Sequence, residues 1–133
     1  MDEIIVRVET VVNFTESEEK VRVALENVFG GLPIAVKPSQ KGNTLVAEVK
    51  GRDILIRFRN LLRNERIRDA ARRIFFQGME GNTIDFWLNK QVAFVGHISF
   101  SQETSESPLD PIKVTVICED PRELVDWLAP RTA

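Results

Sequence analysis

The sequence has no tyrosine, a single histidine and a single cysteine among its 133 residues. A lone Cys118 forms no internal disulfide, and a zinc framework draws on several cysteine or histidine ligands. No metal and no cofactor is therefore expected. A chain without disulfides suits a reducing compartment, so the expected location is cytoplasmic. The start, Met1-Asp2-Glu3, is acidic and runs into alternating residues, unlike the basic-then-apolar order of an export signal. No stretch supplies the roughly 18 apolar residues that cross a bilayer, so no membrane partner is expected. A surplus of positive charge is also missing. Lys and Arg number 18 against 20 Asp and Glu, for a net charge of -2. Proteins that grip nucleic acid with their whole surface are basic, so any such contact here must be local.

Catalytic signatures are missing too. His97 is the only histidine, and no nucleophile-elbow motif surrounds any serine. A Ser-His-Asp arrangement would need His97 near Ser99 or Ser101 together with a buried acid. Gly78-Met79-Glu80-Gly81-Asn82 lacks the Lys-Ser/Thr of a phosphate loop and reads as a turn. Cys118 reads as a small core residue. No catalytic residue is assigned. An enzyme would need a deep pocket gathering His97, Asn89 and Glu103 or Glu106.

What is present builds a globular domain. Apolar residues make up 43% of the chain, too many for disorder at so small a net charge. The length fits one domain, 1–133, that buries roughly two-thirds of its unfolded surface. Ile4, Val6, Val8 and Val12 share one face, and Arg7 and Glu9 the other, the period of a half-buried strand. Thr15 and Glu18 have capping-box spacing ahead of a helix with a Val21, Leu25, Val28 stripe, which Gly30-Gly31 stops. Strands are predicted at 32–37 and 44–50, joined as a hairpin through the polar turn 38–43.

Two apolar stripes follow. Ile54, Leu55, Phe58, Leu61 and Leu62 form the first, and Ile67, Ala70, Ala71, Ile74 and Phe75 the second. Phe58 and Ile67 are about half a turn out of phase at roughly 100° per residue, which predicts two helices or one kinked helix. Asn64 is the expected N-cap of the second, and Gly78 its stop. Strands are predicted at 83–88 and 92–100, with Asn89-Lys90-Gln91 as the turn between them. The segment 101–111 is polar, acidic and rich in Ser and Pro, an exposed loop. A strand at 112–118 precedes a helix with Asp120 as N-cap and Pro121 at the first helical position, ended by Pro130. The order β-α-β-β-α-α-β-β-β-α implies an α+β fold with a mixed, mostly antiparallel sheet and helices packed on one face.

The charge is unevenly spread. The segment 52–73 holds eight arginines and three acids, a surplus of five positive charges, so the rest of the chain is acidic. Arginine presents a planar fork that binds phosphate through two parallel hydrogen bonds. Arg59, Arg63, Arg66, Arg68, Arg72 and Arg73 are the candidate phosphate contacts, with Lys90 a weaker one. Two other readings compete: solvated helix faces paired with nearby acids, and pairing with acids of a partner subunit. Aromatic interleaving for base stacking is sparse, so RNA contact would be driven by shape.

Several motifs carry a family resemblance. They are Leu61-Leu62-Arg63-Asn64-Glu65-Arg66-Ile67-Arg68-Asp69-Ala70-Ala71-Arg72-Arg73, Leu88-Asn89-Lys90-Gln91-Val92-Ala93-Phe94-Val95-Gly96, Glu106-Ser107-Pro108-Leu109-Asp110-Pro111-Ile112 and Asp126-Trp127-Leu128-Ala129-Pro130. In this order they resemble the archaeal uncharacterised protein family 0201 across essentially the whole chain. The resemblance implies a fold similar to the ribosomal protein that binds 5S ribosomal RNA, a grouping with RNA-binding proteins, and a homodimer. It carries no established activity and no functional residue. The expectation is a non-enzymatic protein that binds structured RNA through the arginine segment. The alternative is a dimeric structural or protein–protein adaptor domain without nucleic-acid binding.

Overall fold

The alternation at the start of the chain becomes strand β1, Ile5–Asn13, at the centre of the sheet. Ile4, Val6, Val8 and Val12 are buried on one side, while Arg7 is exposed on the other. The computed structural model describes residues 3–40, 42–101 and 110–131. After β1 come helix α1 (Glu18–Phe29), strands β2 (Ala35–Ser39) and β3 (Gly42–Lys50), and a 3-10 turn at Arg52–Leu55. Helices α2 (Ile56–Asn64) and α3 (Arg68–Gln77) follow, then β4 (Met79–Glu80), β5 (Thr83–Leu88), a short helix α4 (Lys90–Phe94), β6 (Phe100–Ser101), β7 (Ile112–Ile117) and α5 (Pro121–Leu128).

The strands lie in the order β2-β3-β1-β7-β5-β4, with β6 also paired to β5. Every described pairing is antiparallel. The helices cover one face, and their apolar stripes meet the inward residues of β1, β5 and β7 in a single core cluster. Phe58 is fully buried at its centre, against the rings of Phe29, Phe75 and Phe86 at 5.4–6.1 Å. Rings at such distances add roughly 0.5–1.5 kcal/mol per pair beyond the area they bury.

The expected α+β class, the one-sided helical layer and the β2–β3 hairpin are all present. Four local expectations are corrected. Ser17, not Thr15, caps α1 by accepting from the Lys20 N–H. Asn64 does not cap α3, whose N-cap position is Ile67 with no side-chain bond. The stretch 92–100 is not a strand. Asn89 accepts from the Val92 N–H and starts α4, so Asn89-Lys90-Gln91 opens a helix instead of turning a hairpin. Of this stretch only Phe100 pairs with β5, together with the following Ser101. Most of the acidic loop 101–111 lies outside the described residues.

Gly78 fixes how α3 meets the sheet. The Asp85 N–H donates to the Gly78 carbonyl at 3.0 Å. A Cβ on Gly78 would lie 1.9 Å from the Asp85 carbonyl oxygen, a backbone atom that cannot swing aside. Gly78→Ala should therefore cost about 2–3 kcal/mol, at the upper end of overpacking penalties, read as a lowered urea midpoint with unchanged slope.

Candidate nucleic-acid interface

The phase break between the two apolar stripes is resolved by one residue. Helix α2 ends at Asn64 with Glu65 as its C-cap, and Arg66 takes a left-handed backbone with φ 57°. The Ile67 N–H donates to Leu62 O at 3.1 Å, and the Arg66 N–H to Arg63 O at 3.2 Å. This pair of bonds is the Schellman ending, which satisfies carbonyls left open at a helix terminus. It turns the chain so that α3 buries Ala71 and Phe75 in the same core as Phe58 and Leu62. Left-handed backbone strains any residue with a Cβ, so Arg66→Gly should raise stability by about 0.5–1 kcal/mol while deleting one surface charge. A thermal melt alongside an RNA titration checks both halves.

The arginines divide into two groups. Arg52, Arg59 and Arg72 hold α5. Arg52 pairs with Glu123 at 3.0 Å, and its guanidinium lies 5.0 Å from the Trp127 ring centre. Arg59 donates Nε–H to Trp127 O at 2.7 Å and also lies over that ring, at 5.2 Å. Arg72 pairs with Asp126 at 2.6 Å, donates to Ala129 O at 3.3 Å, and sits over Phe76. Helix α5 has no basic residue in its own last turn. Its C-terminal carbonyls carry partial negative charge, and two arginines from α2 and α3 supply the missing donors. Arg57 is tied similarly, to Asn27 O at the end of α1.

Arg63, Arg66, Arg68 and Arg73 form the second group. No hydrogen bond, ion pair or ring contact engages their side chains among the described residues. Arg63, Arg66 and Arg73 are exposed, and Arg68 is half-buried. Arg63 and Arg68 line a shallow hollow with Arg59, Leu128 and Pro130. On α3, Ala70, Arg73 and Gln77 follow i, i+3, i+7 spacing and are all exposed, and the exposed Arg66 stands in the turn just before the helix.

Lys90 does not belong to this surface. Its side chain is 5% exposed, and its ammonium reaches Val11 O at 2.6 Å and both Glu16 oxygens at 2.9 and 3.1 Å. A buried ammonium with three acceptors has nothing left for an external phosphate. Burial alone would raise the Glu16 pKa. Hydrogen bonds from the Asn13 N–H, Lys90 and the Asn13 amide, with the Lys90 charge, outweigh it and hold that carboxyl below its ordinary value.

The residues considered for catalysis do not assemble. His97 is exposed, with Nδ1 3.6 Å from Glu65 Oε2, while Glu65 Oε1 accepts the Ile98 N–H. Asn89 is used as a cap. Glu103 and Glu106 lie outside the described residues. Cys118 is buried, as expected of a core residue. No group of three metal-ligating side chains occurs among the described residues, and no described helix is long and apolar enough to cross a membrane.

The fold is an α+β domain with helices on one face of an antiparallel sheet, and its α2–α3 corner carries four arginines with no partner among the described residues. The chain belongs to the family whose model is described as RNA binding, which matches residues 5–118. It is 46% identical over 129 residues to a UPF0201 protein of Pyrobaculum islandicum, covering 95% of this chain and 90% of that one. The UPF0201 protein of Sulfurisphaera tokodaii is also 46% identical, over 100% of this chain and 90% of its own. Among solved structures, an uncharacterised UPF0201 protein superposes with a TM-score of 0.78 at 35% identity, over 96% of this chain and 94% of that one. The UPF0201 protein from Methanococcus jannaschii gives 0.80 at 27% identity, over 98% and 95%. The source organisms named are archaeal, and these relatives carry no named activity.

Proposed function

We propose that this protein binds structured RNA without catalysing a reaction, using Arg63, Arg66, Arg68 and Arg73 as phosphate contacts. The observation that carries the reading is the division of the arginines. Where α5 needs donors, arginines are consumed. At the α2–α3 corner four remain in a chain whose net charge is -2. Unpaired positive charge held at a rigid helix corner repels itself unless an anion completes it, and phosphate oxygens fit the guanidinium fork. Arg59 lies at the edge of this surface, while Arg72 and Lys90 serve the fold.

The family model supports an RNA partner. Contacts made by arginines to phosphates read shape and spacing, not base sequence. The test is titration of labelled ribosomal RNA fragments at two salt concentrations, with the Arg63→Glu/Arg66→Glu variant beside the wild type. Salt-sensitive binding that the reversal abolishes supports the proposal. No binding at low salt, or binding indifferent to the reversal, ends it. A homodimer joined through these arginines would instead dissociate in a sedimentation run when the two are reversed, with RNA making no difference.

A further inference from the structure

Three arginines share one hollow. Arg59 and Arg63 stand one turn apart on α2, and Arg68 opens α3. Leu128 and Pro130, at and just past the end of α5, form the rest of its wall. The lining therefore holds three positive charges and no acid. Asp126 on α5 is taken by Arg72 at 2.6 Å. The hollow is small, about 40 Å³. At roughly 10–15 Å³ per water it has room for about three waters, the bulk of one tetrahedral oxyanion. It is far below the roughly 300 Å³ at which small-ligand pockets begin, so it admits neither a base nor a sugar.

The three side chains differ in how they are held. Arg59 is anchored, with its Nε–H on Trp127 O at 2.7 Å and its guanidinium over the Trp127 ring at 5.2 Å. That bond uses one of the five N–H donors of a guanidinium, and no other hydrogen bond engages this side chain among the described residues. A donor fixed before its ligand arrives loses less freedom on binding. Arg63 and Arg68 have no partner among the described residues, and Arg68 is half-buried all the same. Partial burial takes water from its charge, and nothing on the lining replaces that water, since Leu128 and Pro130 present apolar surface. The larger hollow between α1 and α4 offers less, because Lys90 and Glu16, which line it, already satisfy each other.

We propose that this hollow takes a terminal phosphate, so that the protein recognises a phosphorylated end of an RNA strand whose inner phosphates follow Arg66 and Arg73. The choice of RNA rests on the reading given above, while the terminal phosphate rests on the hollow itself. A phosphate inside a strand carries one charge and offers two free oxygens, with a sugar on either side. A phosphate at an end carries close to two charges at neutral pH and offers three oxygens. Three arginines around one hollow outnumber the oxygens of the first and match those of the second. Guanidinium bonds to a fully ionised phosphate are also the strong, charge-assisted kind. Size acts in the same direction. A strand end needs only one way in, whereas an inner phosphate brings two sugars to a hollow with room for neither. Arg66 and Arg73 do not line the hollow and are exposed, which leaves them for the phosphates that follow.

The experiment has two arms. In the first, inorganic phosphate is titrated into the isotope-labelled protein, following the arginine Nε–H resonances. Those of Arg59 and Arg68 should move together, at about tenfold lower concentration than those of Arg66 and Arg73, the difference made by one further charge-assisted hydrogen bond. In the second, one RNA hairpin is compared in three forms: both ends hydroxyl, a 5′-phosphate, and a 3′-phosphate. A phosphorylated form should bind about tenfold more tightly than the hydroxyl form. Arg68→Gln should remove that gain. Arg73→Gln should weaken all three forms alike and leave the gain in place. Equal shifts at all four arginines, or a gain that survives Arg68→Gln, overturn the hollow as a phosphate site. A gain lost equally in Arg73→Gln overturns it too, because it then reports charge alone. If RNA binds through Arg63 and Arg66 with no preference for a phosphorylated end, the terminal phosphate has failed and the RNA reading stands. If inorganic phosphate moves Arg59 and Arg68 but no RNA binds at low salt, the hollow stands as a phosphate site and RNA is overturned as its source.

Discussion

Replacing Lys90 with methionine should lower the unfolding free energy by about 3–5 kcal/mol, the cost of stranding one member of a buried ion pair. Methionine keeps most of the stem volume, so packing changes little. What is lost is the ammonium that bridges Val11 O and the Glu16 carboxylate. Glu16 has 10% side-chain exposure and would be left with only the Asn13 groups to offset its burial. A domain of this size has roughly 5–15 kcal/mol in total, so chemical denaturation should show a large drop in midpoint. Adding Glu16→Gln to Lys90→Met should recover part of the loss. The charge is gone, yet the Gln oxygen still accepts the Asn13 N–H that Glu16 accepts at 3.0 Å. The pH dependence has a definite sign. Glu16 titrates below its ordinary value near 4.5 in the folded protein. Its contribution is complete above that value and is lost as pH falls through the lower folded pKa. Once Glu16 is protonated it no longer needs a cation, so the deficit of Lys90→Met should narrow with acidification. A deficit that is constant from neutral to strongly acidic pH would show that Glu16 is not the partner that matters.

Lys90 also marks the limit of what the sequence discloses. Its neighbours Asn89 and Gln91 are polar, and polar triplets between apolar runs read as turns. The competing signal was there. Asn89 is a good N-cap residue, and Lys, Gln and Ala are good helix formers. Five residues, though, give too little periodicity to choose helix over turn-plus-strand. Nor does local pattern say that Lys90 meets Glu16, 74 positions away. The strongly periodic elements were legible for the opposite reason. In β1 the alternation of Ile4, Val6 and Val8 with Arg7 and Glu9 is the sheet's own geometry written in the chain. Asp120-Pro121 states the start of α5 by chemistry that depends on no distant residue. The half-turn slip between Phe58 and Ile67 announced a break, and the left-handed Arg66 is how it is made. The arginine segment was visible as charge, but its division was not. A guanidinium on four rotatable bonds reaches either solvent or a distant carbonyl, and only the docking of α5 decides that Arg59 meets Trp127 O.

Reversing both Arg63 and Arg66 to glutamate should flatten the salt dependence of RNA binding. Each arginine that neutralises a phosphate contributes about 0.7–0.9 to the slope of log affinity against log salt. Four unpaired arginines at the corner imply a slope of about -3 to -4, so raising salt from about 50 to 200 mM should weaken binding roughly a hundredfold. With two contacts removed the slope should fall to about -1.5 to -2, and the same salt step should cost only about tenfold. At low salt the variant should bind more weakly than the wild type by about a hundredfold, since two attractions become two repulsions. Arg72→Glu is the informative control, because Arg72 faces Asp126 at 2.6 Å and the Ala129 carbonyl. A glutamate there meets like charge and a helix C-terminus together, so α5 should loosen and the melting temperature fall. The two variants therefore separate along two axes. Arg63 and Arg66 act mainly on the salt slope, with only the small cost of an exposed glutamate in the last turn of α2, and Arg72 acts on stability first. If Arg72→Glu lost RNA binding with an unchanged melt while the corner reversal kept it, the division of arginines between fold and phosphate would be assigned the wrong way round.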